Sequence, residues 1–162
     1  MENRYLCRAK RIDNEEWVEG FYFCMTHPDG RHTHHFIIPL GADLSRGTPI
    51  EKIQVEIDPS TICRCTGLED KSGKLIWEND ITKLALPDGE VRYFKVSFKK
   101  VIRKVLCHPD FEDDVAKVEL NAVCFEWDGD ELFPCIYEDG SSDVSNMEMA
   151  GNVFDNPELL EV

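Results

Sequence analysis

Several absences bound what this chain does. No apolar run approaches the length of a membrane span, so the sequence reads as a non-membrane protein. No secretory leader is legible, because Met1-Glu2-Asn3-Arg4 runs straight into a mixed polar segment. No paired C-x-x-C knuckle, nucleophile elbow, phosphate-binding loop or dinucleotide fingerprint occurs. Internal repeats and low-complexity tracts are also missing. Positive charge is nearly absent from the last third. Residues 106–162 hold one lysine and sixteen acidic side chains, a sum of -15, whereas residues 1–105 sum to +1. An acidic surface of that size disfavours nucleic acid and anionic membranes and favours basic partners. Solubility alone also accounts for acidity of this kind.

What is present suits one domain or two small ones. The chain has 162 residues, 42% of them hydrophobic, which is enough for a packed interior. Cys7, Cys24, Cys63, Cys65, Cys107, Cys124 and Cys135 are odd in number and sit mostly among apolar neighbours. They read as reduced thiols acting as small core residues in a cytoplasmic protein.

The pattern is mainly β. Tyr5 to Arg8 is short and aromatic-led. Trp17 to Met25 is strand-like, His27-Pro28-Asp29-Gly30 is a turn, and His32 to Leu40 returns. Ile53 to Ile57 alternates as a half-buried strand does. Asp58-Pro59-Ser60-Thr61 is the candidate boundary, which divides the chain into a hairpin region (1–58) and a second β region (59–162). Gly73 joins two extended pieces, and Asn79 occupies a tight corner that favours positive φ. Leu68, Ile76, Trp77 and Ile81 are core candidates. Val91 to Leu106 fits both a strand and a helix, and its Val, Ile, Tyr and Phe content favours strand. Val118, Leu120, Ala122 and Cys124 alternate, and Met147 to Phe154 is the last strand. Asn156 and Pro157 open a short helical turn.

Two blocks carry a family resemblance. The first is Cys65-Thr66-Gly67-Leu68-Glu69-Asp70-Lys71-Ser72-Gly73-Lys74-Leu75-Ile76-Trp77-Glu78-Asn79-Asp80-Ile81. The second runs from Val144 to Glu161 and includes Gly151-Asn152-Val153-Phe154-Asp155-Asn156-Pro157. Together and in this order they resemble the YopX family of phage and prophage proteins. This chain has Cys65 where the family shows Tyr, and Asn79 where it shows Gly. The resemblance implies a β-rich fold with a small SH3-like barrel and a phage or prophage origin. It transfers no catalytic residue.

Four constellations invite chemistry. His27, His32, His34 and His35 cluster on one hairpin near Cys24. Imidazole and thiolate ligate zinc, copper or nickel, so His27, His32, His34 and Cys24 are weak metal candidates. Against them stands the missing knuckle, and a solvated hairpin tip is the commoner outcome. Cys63 and Cys65 share one strand face, where core thiols are the commoner outcome. Asp128-Gly129-Asp130-Glu131 lacks the ligand spacing of a calcium loop and reads as a solvated turn. Arg92, Lys95, Lys99, Lys100, Arg103 and Lys104, interleaved with Tyr93, Phe94 and Phe98, form a basic stripe. Such a stripe suits single-stranded nucleic acid, yet in this chain it more readily meets the acidic last third.

The expectation is a non-enzymatic module without cofactor that binds a protein partner or itself, in the cytoplasm of a bacterial host. It is expected to bind no nucleic acid and no membrane, and the sequence identifies no small-molecule substrate. The alternatives are an acidic mimic of nucleic acid that occupies a host DNA-binding protein, and a metal-binding protein or metalloenzyme built on the His27–His35 hairpin.

Overall fold

The structure is a computed structural model that describes residues 5–106 and 115–161. Among the described residues, eleven strands form two open antiparallel sheets. The chain divides into two units, one of Met1–Glu69 with Gly73–Glu78, the other of Asp70–Ser72 with Asn79–Val162.

The first unit holds a six-stranded sheet in the order β4-β3-β2-β1-β5-β6. Its strands are β1 (Cys7–Lys10), β2 (Trp17–Thr26), β3 (Thr33–Pro39), β4 (Val55–Glu56), β5 (Cys63–Glu69) and β6 (Leu75–Trp77). The β2–β3 hairpin forms as its turn residues dictate: the His27 N–H donates to the His32 carbonyl at 2.8 Å, and Gly30 supplies φ 69°. Ile53–Ile57 is not one strand. A 3-10 turn at Ile50–Lys52 precedes it, only Val55–Glu56 pairs with β3, and Ile57 bridges Arg11. The alternation reflects Ile57 turning into the core, because Ala9, Ile37 and Ile57 are fully buried together against Val18, Val55 and Ile62. Asp58 caps the Pro59–Thr61 turn by accepting from the Ser60 N–H at 2.9 Å.

Gly20 permits a close approach in this sheet. A Cβ there would overlap the Ile38 carbonyl and press on the Ile37 side chain. Gly20→Ala is therefore expected to lower stability by about 1–3 kcal/mol through forced backbone displacement. Chemical unfolding of the variant checks this, and an unchanged midpoint would refute it.

The second unit holds a five-stranded sheet in the order β10-β9-β8-β7-β11. Its strands are β7 (Asp80–Ala85), β8 (Val91–Leu106), β9 (Val115–Trp127), β10 (Asp130–Leu132) and β11 (Glu148–Asn152). Val91 to Leu106 is strand throughout, so the β-branched and aromatic content decides the ambiguous stretch. Phe94 and Val96 face inward, and Val96 lies opposite the fully buried Phe125. Thr82 donates to the Met147 sulfur at 3.4 Å in the same interior. Ser142 starts the Asp143–Asn146 turn with a reciprocal capping box, and Val144 is buried beneath it. The Asn79 corner has φ 65°, and its N–H reaches the Val96 carbonyl at 2.8 Å.

Two more expectations are corrected. A closed SH3-like barrel does not form, since each sheet ends in open edges, β4 and β6 in one, β10 and β11 in the other. Closing a small barrel needs bulges that bend its strands. The longest ladder, β8 with β9, instead keeps one unbroken register from Lys95–Glu126 to Leu106–Val115. Pro157–Leu160 is a 3-10 turn begun by Pro157, but the Asn156 side chain does not cap it. Its Oδ1 instead accepts from the Asn152 N–H at 3.4 Å, beside Gly151 where a Cβ would collide with it.

Candidate functional site

The histidines of the β2–β3 hairpin are spread along it. His27 Nδ1 lies 3.2 Å from Asp29 Oδ1, and His34 Nδ1 lies 2.8 Å from Glu56 Oε1. His35 Nδ1 shares a hydrogen bond with the Tyr22 hydroxyl at 2.7 Å. His32 precedes β3, so strand alternation does not set it on one face with His34. Cys24 is exposed and lies opposite His35. Among the described residues no group of three His, Cys, Asp or Glu is arranged to hold a metal ion. The purified protein is expected to carry no stoichiometric transition metal and to keep its fold in a chelator. Element analysis with melting in chelator checks this; about one zinc per chain, lost together with structure, would overturn it.

The thiols divide by environment. Cys63, Cys65 and Cys124 are buried, and burial pushes the thiols of Cys65 and Cys124 up. Cys63 Sγ donates to the Thr61 carbonyl at 3.3 Å. Cys24 and Cys135 are exposed, against the reading of them as core residues, and Cys107 lies outside the described residues.

The basic stripe meets carboxylates on neighbouring strands of its own sheet. Lys99 Nζ sits 3.1 Å from Glu126 and 2.6 Å from Glu131, and these hydrogen bonds hold its ammonium well above the ordinary lysine range. Lys100 reaches Glu119 at 3.0 Å. Arg92 pairs with Glu90 and stacks 4.0 Å from the centre of the Trp127 ring, while Arg103 covers Phe133 at 4.3 Å. Burial raises the Glu126 carboxyl, but the neighbouring Ser97 hydroxyl and the ammonium groups of Lys99 and Lys95 lower it further, for a net depression. A carboxyl depressed in the folded state stabilises the fold at neutral pH and loses that contribution as pH falls through its folded value.

Two clefts flank Trp127. One of about 530 Å³ lies over the Lys99–Glu126–Glu131 cluster. The other, about 400 Å³, is lined by residues that include Phe94, Phe125 and Trp127, together with Tyr137, whose hydroxyl donates to Asp143. The sequence reads Asp128-Gly129-Asp130-Glu131 as a solvated turn, but Asp130 and Glu131 lie in β10. The Asp128-Gly129 pair, φ 46° and 83°, was the available signal for a two-residue hairpin.

The most distinctive surface is the outer half of the β8–β9 hairpin. β7 pairs with β8 only along Val91–Lys95, and β10 pairs with β9 only along Phe125–Trp127. Beyond these, among the described residues, the strands pair with each other alone. Ile102, Val105, Val115 and Leu120 are exposed there. Leu120 belongs to the alternating set that ends in the buried Cys124, yet it is itself exposed, although Val101 directly opposite it on β8 is buried.

No helix among the described residues is long and apolar enough to cross a membrane. Comparison with curated proteins finds no match. The family model described as YopX protein matches residues 7–161, a span that takes in both quoted sequence blocks and the strands of both sheets. The chain therefore belongs to the YopX family.

Proposed function

We propose that this chain is a non-enzymatic binding module encoded by a phage or prophage, acting in the host cytoplasm, and that the outer β8–β9 ribbon is its contact surface. The carrying observation is that ribbon: beyond Lys95 and Phe125 the two strands pair, among the described residues, with each other alone, and four large apolar side chains are exposed. An isolated two-stranded ribbon is marginal in water. Exposed edges and apolar side chains gain when another macromolecule covers them.

The titratable groups support binding over catalysis. The strongest cluster, Lys99 with Glu126 and Glu131, is an ion-paired set on neighbouring strands, with its ammonium held protonated. That arrangement suits a structural role rather than proton transfer near neutral pH. The partner is a protein, a second copy included. Ion pairing of Lys99 and Lys100 leaves the stripe with less charge to offer a nucleic-acid backbone.

Capture from host lysate with the wild type, Ile102→Asp and Leu120→Asp tests the reading. Both positions are exposed, so unfolding midpoints should stay near wild type. The captured protein, once purified, should bind the variants about tenfold or more weakly. Equal affinity for wild type and variants would sink the ribbon as the contact. A nucleic acid retained with a steep salt slope would replace the protein partner.

A further inference from the structure

We infer that the free edge of β9 pairs with the same edge of a second copy of this chain, about a twofold axis passing beside Val118. This rests on the reading of the ribbon as a contact surface and names its occupant.

The backbone geometry comes first. Trp127 and Asp130 flank a two-residue turn whose central residues both have positive φ, so they exchange both backbone hydrogen bonds across β9 and β10. Trp127 therefore directs its N–H and C=O away from β8. The β8–β9 register is unbroken from Glu126 to Val115, so the alternation carries down the strand. The Asn79 N–H bonded to the Val96 carbonyl agrees, because it places the even-numbered groups of β8 on the side away from β9. Val115, Lys117, Glu119, Asn121 and Val123 thus point their backbone groups outward, where no described strand meets them.

Charge then selects the register. In a twofold antiparallel pair centred on Val118, Lys117 of each copy lies opposite Glu119 of the other, and both belong to the outward-bonding set. Val115 lies opposite Asn121, and Leu120 opposite Ala116. Centring on Lys117 or on Glu119 sets identical charges face to face, which is unfavourable. The β8 edge is guarded in the same way. Every twofold centre from Lys100 to Lys104 opposes two cations among Lys99, Lys100, Arg103 and Lys104. Pairing through β9 covers Leu120 and Val115, which are 44% and 47% exposed, and extends the ribbon into a sheet continuous across both copies.

Sedimentation velocity of the full chain, combined with disulfide trapping, tests this. The wild type is expected to sediment as a dimer at roughly 100 µM. Lys117→Glu should raise the dissociation constant about tenfold by opposing two carboxylates, and adding Glu119→Lys should recover much of the loss. Val118→Cys lies on the axis and should link two copies under mild oxidation, above the background set by the exposed Cys24 and Cys135. Leu120→Cys, opposite Ala116, should not exceed that background. Unfolding midpoints of all variants confirm that each is folded. A dimer that Val118→Cys fails to trap and Lys117→Glu fails to weaken overturns the β9 pairing but leaves the ribbon as a contact. A monomeric wild type overturns self-pairing outright. The Ile102→Asp capture experiment then decides separately whether the ribbon binds another protein.

Discussion

Replacing Trp77 by Ala should lower stability by about 3–5 kcal/mol, and Ile81→Ala by about 2–5 kcal/mol. Trp77 is 2% exposed and Ile81 fully buried. Trp77 ends β6 opposite the buried Cys65, and the Arg8 guanidinium stands 5.5 Å from its ring centre. Truncation removes the ring's apolar contact and the face on which that cation rests. Ile81 lies in β7 between Lys95 of β8 and Gly151 of β11, so its loss opens a void inside the five-stranded sheet. Domains of this size are stable by only about 5–15 kcal/mol, so either change removes a large fraction of the total. The residues belong to different units, which gives the test a second readout. Hydrogen exchange should rise first in β1, β5 and β6 for Trp77→Ala and first in β7, β8 and β11 for Ile81→Ala. Trp77→Phe should be milder than the alanine change. Melting close to wild type for either alanine variant would show that the side chain is not part of the interior.

The strands were legible where side-chain chemistry and local turns agree. His27-Pro28-Asp29-Gly30 fixed one hairpin, the Asn79 corner joined β6 to β7, and Phe94 with Val96 marked the inward face of β8. Legibility failed where a long-range contact decides the outcome. The alternation of Ile53–Ile57 looks like a strand in isolation, yet a 3-10 turn occupies its start and only Val55–Glu56 pairs with β3. Whether strands curl into a barrel or remain an open sheet depends on register and bulges, which a single sequence does not display. The exposure of Leu120 was hidden for a related reason. Its apolar alternation with Cys124 is genuine, but burial depends on how far the neighbouring strands extend, and β10 ends at Leu132. The candidate contact surface is thus a consequence of unequal strand lengths rather than of any motif. The basic stripe was visible, and its pairing with Glu119, Glu126 and Glu131 became visible only once the β8–β9 register was fixed.

Removing the Asp70 side chain should prove costly to the second unit. Asp70 is 6% exposed. One carboxylate oxygen accepts from the Ser72 N–H at 2.8 Å and the Ser72 hydroxyl at 2.6 Å, and the other accepts from the Met149 N–H at 3.1 Å. The carboxylate thus holds residues 70–72 against the start of β11. Lys71 reinforces the junction, its N–H donating to the Met147 carbonyl at 2.9 Å and its ammonium meeting Glu148 at 2.7 Å. Glu148 is half exposed, and its ion pairs with Lys71 and Lys83 contribute little singly. The Asp70 bonds differ, because removing the carboxylate leaves the Met149 N–H without that acceptor in a part-buried site. Asp70→Ala is expected to cost about 2–4 kcal/mol. Asp70→Asn keeps the shape but has only one acceptor oxygen for donors now served by two, so it should lie between wild type and alanine. Loss of hydrogen-exchange protection at Met149, with Gly20 and Ile37 of the first unit unaffected, would place the damage at this junction. If Asp70→Ala melts with the wild type and the Met149 amide stays protected, backbone pairing of β11 with β7 alone holds that strand, and the carboxylate is dispensable.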